Sequence, residues 1–352
     1  MIFYNNFKYQ WNRIYYIILR KIKYNCKPRE RLALSKQLKC YKCQSSQVFM
    51  NSDKDNFLCV SCYSFFIEKK VKKSIRKYEM FEYGTHIAVG LSGGKDSVVL
   101  LHILKKITKD QKIKLSAIII DEGVENYRNR GIIIALDLVK SLEIPFKLLS
   151  YKGLYDTTLD TMVEIKPLGK SSCALCGTFR RKALNFGALS LKADLIATGH
   201  NLDDEAQTIL MNMLRGDINR FKRSSKQPNQ LHKKFIPRIK PILEISQPEV
   251  VYYALANNLE YLDEECPYAP QARRNSIKNF LFDQEKKHNG TLINILRMQE
   301  AILSSIEGNS NIDKEFFECE VCGDLTDNKN TLICAGCKFR GEMKKKKHLI
   351  SL

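Results

Sequence analysis

The sequence predicts a doubly wound α/β fold, a parallel sheet covered by helices on both faces, with a small four-cysteine module at each end. Three observations carry that expectation. Short β-branched runs at Ile87 to Leu91, Leu115 to Ile120, Phe146 to Tyr151 and Asp194 to Thr198 alternate with amphipathic stretches such as Arg128 to Leu142 and Glu205 to Leu214. Strands separated by helices of that length pair in parallel. A glycine-rich turn, Ser92-Gly93-Gly94-Lys95-Asp96-Ser97, joins the first strand, Thr85 to Leu91, to a helical pattern over Ser97 to Ile107. Paired cysteines bracket the whole segment, and at 352 residues the chain has room for one substantial core and its appendages.

The turn after the first strand reads as a phosphate cradle. Paired glycines let backbone N–H groups face an anion without a Cβ clash, the following helix offers its positive N-terminal end, and Ser92, Lys95 and Ser97 add donors and charge. It is not a Walker loop, because Val89 stands five residues before Gly94 and Asp96 follows the lysine, and it does not fit Gly-x-Gly-x-x-Gly. A carboxylate at Asp96 beside a phosphate is unfavourable without a cation, so Mg²⁺ bound with the nucleotide is expected. In an open parallel sheet, ligands bind beyond the carboxyl ends of the strands. Three loops converge there: Ser92 to Ser97, Asp121-Glu122-Gly123, and Gly199-His200-Asn201-Leu202-Asp203-Asp204. Ser92, Gly93, Gly94, Lys95, Asp96, Ser97, Asp121, Gly199 and His200 are therefore the candidate ATP-binding residues. Asp203 and Asp204 serve equally as first-turn charge for a helix starting near Leu202 and as catalytic carboxylates.

Eleven of the twelve cysteines fall into sets, leaving Cys26. Cys40, Cys43, Cys59 and Cys62, and again Cys319, Cys322, Cys334 and Cys337, are facing Cys-x-x-Cys pairs, the spacing that wraps four thiolates around Zn²⁺. Both are closed sites, so two structural Zn²⁺ ions are expected. Cys173 and Cys176 lack a second pair, and the unassigned partners are the distant Cys266 and Cys26 in the basic extension. Three thiolates hold a [4Fe–4S] cluster with one iron open, or the pair works as a dithiol that relays sulfur; a buried structural pair is the plainer alternative. Arg180, Arg181 and Lys182 follow closely and would attract phosphate and favour thiolate.

Lysines and arginines are spread over the chain, giving a formal net charge of +20 and a pI near 9.4, which favours a polyanionic partner such as nucleic acid. No segment approaches the roughly 18 to 20 apolar residues that span a bilayer, so no membrane is expected. The domain reading is a basic extension over 1–34, with seven Lys or Arg before its first acid, Glu30; a zinc module over 35–68; the α/β domain over 69–290; a helical connection over 291–315; and a zinc module with a basic tail over 316–352. Asn219 to Lys234 reads as a basic loop. Cys266-Pro267-Tyr268 reads as a return to the core, with Arg273 and Arg274 bringing RNA-binding charge to the same mouth.

Ser92 to Ser97 resembles the pyrophosphate loop of the PP-loop ATP pyrophosphatases, whose fold is HUP-like. That loop, Asp121-Glu122-Gly123, Cys173-x-x-Cys176-Gly177-x-Phe179-Arg180-Arg181, Thr198-Gly199-His200-Asn201-x-Asp203-Asp204, Leu210-Met211-Asn212-x-Leu214-Arg215-Gly216-Asp217, Cys266 and the two cysteine modules are similar, in order, to the TtuA/TtcA-like tRNA thiolases. The resemblance implies a cytoplasmic enzyme that uses ATP and Mg²⁺ to adenylate the C2 oxygen of a tRNA uridine, at the wobble position, and then replaces that oxygen with sulfur. It implies Cys173, Cys176 and Cys266 as cluster or sulfur-relay cysteines, and Asp96, Asp203, Asp204, Cys173, Cys176 and Arg180 as catalytic residues. Arg180 stands where some relatives carry a catalytic lysine, and Glu205 and Gln207 depart from the family pattern. The implied partners are tRNA, a ubiquitin-like sulfur carrier, and a second thiolation subunit or a second copy of the chain. The alternatives are a lysidine-type adenylating enzyme, which would lack the three cysteines, and a noncatalytic zinc-containing RNA-binding protein, which has no use for the loop.

Overall fold

The computed structural model describes residues 39–46, 57–165, 171–223, 228, 232, 234–269, 274–306 and 316–350. The expectations for residues 1–34, for Cys26, for most of the basic loop between 224 and 233, and for Arg273 lie outside them. The chain divides into two compact units, Met1–Tyr63 and Ser64–Leu352.

In the first unit, Cys40 and Cys43 lie on a turn closed by the Cys40 N–H donating to the Ser45 carbonyl at 2.8 Å. Cys59 and Cys62 lie at the start of helix α1 (Val60–Lys77).

The second unit is built on β1 (His86–Gly90), α2 (Lys95–Ile107), β2 (Lys114–Asp121), α3 (Arg128–Ser141), β3 (Phe146–Ser150), two short helices α4 (Tyr151–Tyr155) and α5 (Leu159–Ile165), α6 (Ser172–Ser190), β4 (Leu195–Ala197), α7 (Leu202–Leu214), α8 (Ile218–Arg223) and β5 (Arg238–Ile239). Helices α9 (Gln247–Ala256), α10 (Arg274–Lys287) and α11 (Thr291–Ile306) follow, then the hairpin β6 (Phe317–Glu318) and β7 (Leu325–Thr326), and α12 (Ala335–Ile350). The five-stranded sheet has the order β3-β2-β1-β4-β5, and every pairing in it is parallel. The doubly wound parallel sheet is thus the observed fold. The order reverses between β1 and β4, so the loops that leave these two strands flank the switch point where such sheets open a crevice.

Local sequence explains the elements that shape the crevice. Helix α2 buries Val98, Val99, Leu100, Leu101, Ile103 and Leu104 completely, so it is apolar nearly all round and sits inside the molecule. Replacing Leu100 with alanine there is expected to cost about 2–5 kcal/mol. Helix α6 starts at Ser171, whose hydroxyl accepts from the Ala174 N–H at 3.4 Å. It buries Leu175, Cys176, Phe179, Ala183, Leu184 and Ala188, a helical stripe. Phe179 meets Tyr155 edge-on with ring centres 4.8 Å apart, and Phe339 of α12 at 6.5 Å. The C-terminal module therefore shares the core of the α/β unit, through Phe339 and Met343.

Three details differ from the sequence reading. β3 is an edge strand with Phe146 and Leu148 exposed, and its expected last residue, Tyr151, opens α4 instead. Arg238–Ile239, outside the runs read as strands, supplies the fifth strand, β5. Among the described residues no helix is long and apolar enough to cross a membrane.

Candidate functional site

The turn after β1 is fixed by its own side chains. Ser97 Oγ donates to the Gly94 carbonyl at 2.9 Å and accepts from the Ser92 N–H at 3.1 Å, while the Ser92 and Ser97 hydroxyls are 3.0 Å apart. Gly93 has φ +81°, and a Cβ there would lie 2.1 Å from the Gly131 carbonyl oxygen, so only glycine fits. Gly94 caps α2 in extended conformation without a side-chain bond, which leaves the helix N-terminus open to an anion. Lys95 Nζ lies 2.9 Å from Asp96 Oδ2, and the Asn201 amide donates to Asp96 Oδ1 at 2.8 Å.

The loop after β4 closes onto this turn. A side chain at Gly199 would come within 2.9 Å of the Asp96 backbone, so glycine permits the contact. Asn201 caps α7, accepting from the Asp204 N–H at 3.0 Å, in a reciprocal capping box with the Asp204 carboxylate. Thr198 Oγ1 is 2.9 Å from His200 Nδ1. Between the loops lies a cavity of about 280 Å³ lined by Ser92, Gly94, Asp96, Ser97, Gly199, His200, Asp204 and Arg180, and also by Glu122, Arg128 and Arg274.

The two acidic neighbours have different surroundings. Asp204 faces the cavity and pairs with Arg274 at 3.3 Å. Asp203 instead accepts from the Gln247 N–H of α9 at 2.7 Å; burial raises its pKa, with the nearby Asp204 charge adding to the rise. Asp121 does not line the cavity either, since its carboxylate accepts from the Gly123 N–H at 2.8 Å.

Opposite the loop stands α6. The buried Glu122 carboxylate pairs with Arg128 Nε at 2.6 Å and accepts from Arg180 Nε at 2.9 Å. Arg180 Nη2 reaches Cys176 Sγ at 3.2 Å. Burial pushes the Cys176 thiol up and Arg180 opposes that rise. Cys176 is buried, Cys266 half-buried and Cys173 exposed. The Cys266 thiol is likewise raised by burial, against the Tyr268 N–H and Arg180, and it feels the Cys173 charge. The segment carrying Cys266 is anchored by the Leu262 N–H to the Gly93 carbonyl at 2.9 Å and by the Tyr268 hydroxyl donating to Asp160 at 2.7 Å. Cys176 and Cys266 thus influence one another electrostatically, as do Cys266 and Cys173, and Arg180 meets both Cys176 Sγ and the cavity; the three sulfurs are not gathered within 4.8 Å as those of the four-cysteine sets are.

The two four-cysteine sets are more tightly gathered. In each, the four Sγ atoms lie within 4.8 Å of one another. Burial would raise the Cys40 thiol, but N–H groups of Cys59, Cys43 and Lys42 outweigh it and lower it to about 6. At Cys319 burial is likewise outweighed, by N–H groups of Cys334, Val321 and Cys322, again to about 6. Four gathered thiols with N–H groups aimed at sulfur have the donor chemistry of structural zinc. The C-terminal set has one further partner: Lys182 of α6 lies 2.9 Å from Cys334 Sγ, 3.4 Å from Cys322 Sγ and 3.1 Å from Asp324.

Glu122, Arg128 and Arg274 were not among the candidate site residues. Arg128 reads in the sequence as the first residue of a helix. Nothing local marks it, because its partners at Ser92 and Glu122 are brought together only by the parallel sheet.

A family model described as a PP-loop domain matches residues 66–285. The chain is 35% identical to the cytoplasmic tRNA 2-thiolation protein 1 of Candida glabrata over 320 residues, covering 89% of this chain and 88% of the relative. It is 36% identical to the protein of the same name in Dictyostelium discoideum, covering 88% and 84%. Among solved structures it is similar to the U34-tRNA thiolase NcsA from Methanococcus maripaludis with its [4Fe–4S] cluster, with a TM-score of 0.71, 32% identity and coverage of 86% of this chain and 96% of that one.

Proposed function

The chain belongs to the cytoplasmic tRNA 2-thiolation protein 1 family of PP-loop proteins, and from that premise we infer that it is a cytoplasmic, ATP-dependent tRNA sulfurtransferase. Its reaction is the adenylation of a tRNA uridine at the C2 oxygen followed by exchange of that oxygen for sulfur. The target we propose is the wobble uridine, in keeping with the U34-tRNA thiolase it resembles. One observation carries the reading: a single cavity has the glycine-rich loop on one wall and, on the other, an arginine that also bonds a cysteine sulfur.

The nucleotide phosphates would lie against the Gly93 and Gly94 backbone and the open N-terminus of α2, with Lys95 and Ser92 as further donors. The uridine C2 oxygen then bonds the α phosphorus as the bond to the bridging oxygen breaks and pyrophosphate leaves. Asp96 and Asp204, both on the cavity, are our candidates for holding Mg²⁺. His200 and Gly199 would border the adenosine. Arg180 and Arg128 offer cationic charge to the α phosphate through the chemistry and to the departing AMP. Asp203, turned to the α9 backbone, supports the helix packing beside Asp204. Asp121 would act on the nucleotide only through the turn it holds.

Cys173, Cys176 and Cys266 suit a three-thiolate ligand set: soft donors, unmatched by a fourth cysteine among the described residues, with Arg180 as the neighbouring cation. A [4Fe–4S] cluster held by them would supply an iron position for sulfur; with the cluster absent, the same thiols are placed to carry sulfur themselves. The four-cysteine sets would each hold a structural Zn²⁺. The net charge of +20 supports tRNA as the macromolecular partner. A ubiquitin-like sulfur carrier and a second thiolation subunit, or a second copy of the chain, complete the proposed partners.

The domain boundaries that we propose for the cysteine modules, 35–68 and 316–352, keep each four-cysteine set whole. Nucleoside mass spectrometry of tRNA after depletion of the protein tests the function. We expect 2-thiouridine derivatives to fall away, and their persistence at normal levels would overturn the assignment.

A further inference from the structure

We propose that Glu122 is a positioning residue that joins the nucleotide loop to the Cys176 sulfur, so that a phosphate bound in the loop is felt at the cysteine. The inference rests on the reading of the loop as an ATP site. An unbroken chain of polar contacts runs between the two. The Ser92 carbonyl accepts from Arg128 Nη1, Arg128 Nε meets Glu122 Oε2 at 2.6 Å, Glu122 Oε1 meets Arg180 at 2.9 Å, and Arg180 Nη2 reaches Cys176 Sγ at 3.2 Å.

Burial makes this more than a surface ion pair. The Glu122 and Arg128 side chains are each only 5% exposed, whereas the Arg180 side chain is half exposed and lines the cavity. A carboxylate held this far from water requires its cations, and removing it leaves two guanidinium groups without their common partner. The set also holds two cations against one anion. The second anion comes from what the cavity and the mouth supply, a phosphate oxygen or the cysteine sulfur, and both reach the same guanidinium. A phosphate that takes up Arg180 loosens its hold on Cys176. Glu122 is the fixed point that makes the exchange possible, because Arg128 anchors it to the backbone of the loop and of β2, through the Ile120 carbonyl at 2.7 Å.

The test uses the full-length protein, purified in air and reduced, with iron absent and zinc retained, so that Cys176 is a free thiol. Iodoacetamide modification of Cys176 is followed by peptide mass spectrometry with and without saturating Mg·ATP, and ATP affinity is measured separately by calorimetry. In the natural protein we expect ATP to slow modification at least fivefold. Glu122→Gln and Arg180→Lys, each compared at a Mg·ATP concentration that calorimetry shows to saturate that variant, should reduce that slowing to less than twofold. If Glu122→Gln does not fold, Arg180→Lys decides, since its side chain is half exposed. Retention of the fivefold effect in the folded variants overturns the proposal, because ATP would then simply shield the thiol. An absence of any effect in the natural protein while it binds ATP overturns it too. Failure of the natural protein to bind ATP would instead bring down the assignment of the loop itself.

Discussion

The C-terminal four-cysteine set and the three-cysteine set both meet helix α6, with Lys182 and Cys176 less than two turns apart, and their cations are committed differently. At the first, burial raises Cys322 and Cys337, but backbone N–H groups lower Cys319 and Lys182 supplies an ammonium group to Cys322, Cys334 and Asp324. Four donors and their charges are completed locally, as a closed metal site requires. At the second, burial raises Cys176 and Cys266, no fourth cysteine among the described residues completes the set, and the cation that meets Cys176 is shared with a cavity. The difference teaches that one helix can serve as scaffold and as reactive element, according to whether its cation is committed to one thiol set or divided between two sites.

The sharpest way to break this comparison is Cys176→Ser. It should reduce 2-thiouridine formation by about two orders of magnitude or more, measured by nucleoside mass spectrometry, with zinc content unchanged by elemental analysis. A fall in zinc would mean that the two thiol sets are not separate. Next in size is Gly93→Ala, which combines a positive φ with a Cβ 2.1 Å from the Gly131 carbonyl. We expect at least about 3 kcal/mol of destabilisation in urea unfolding, or loss of measurable ATP binding where the loop rearranges.

Lys182→Met sharpens the closed side of the comparison. Removing the ammonium group that contacts Cys322 and Cys334 should lower zinc affinity by about 10–100-fold, which competition with a chelator would read. Thiolation should fall only as zinc is lost, and Lys182→Arg should fall between.

The smallest effect separates the two aspartates. Asp203→Asn should leave thiolation nearly intact, because an amide oxygen can still accept from Gln247, whereas Asp204→Asn should lower it clearly. Burial raises Asp203 above its unfolded value of 3.8, so between those two values the native state binds more protons than the unfolded one. Its stabilising contribution is therefore present below 3.8 and lost as pH rises through the folded value. The stability of Asp203→Asn relative to the natural protein should accordingly improve with rising pH across that window, as read by urea unfolding at several pH values.

Much of this was legible in the chain. Alternating short strands and helices specified the doubly wound sheet because a buried parallel strand needs apolar residues on both faces, as Val89 and Ile119 illustrate. The loop and the cysteine pairs were legible because their chemistry depends on residues a few positions apart. Edge strand β3 departed from its apolar look because exposure is set by position in the sheet, which no local pattern encodes. Glu122 was legible only as a loop residue and Arg128 only as the start of a helix for a related reason: their roles lie in partners at Ser92 and Arg180, and only the folded sheet brings these to them. Asp203 and Asp204 look interchangeable as neighbours, yet successive residues of a helix point about 100° apart, which sends one to α9 and the other to the cavity.

The sequence distances within the thiol sets bear on how the protein acquires its metals. Each four-cysteine set spans a short local segment, 40–62 or 319–337, so a newly made chain can gather those thiols around zinc before the sheet exists, and binding can itself promote folding. Cys176 and Cys266 are about 90 residues apart, and Cys266 rides on a strap fastened to Gly93 and Asp160. That third thiol reaches its neighbours only after β1, α5 and α6 have assembled. On the metal assignments proposed above, maturation is thereby ordered by topology: zinc would load early and locally, while the three-cysteine site would come into being last, in a chain that has already proved its fold.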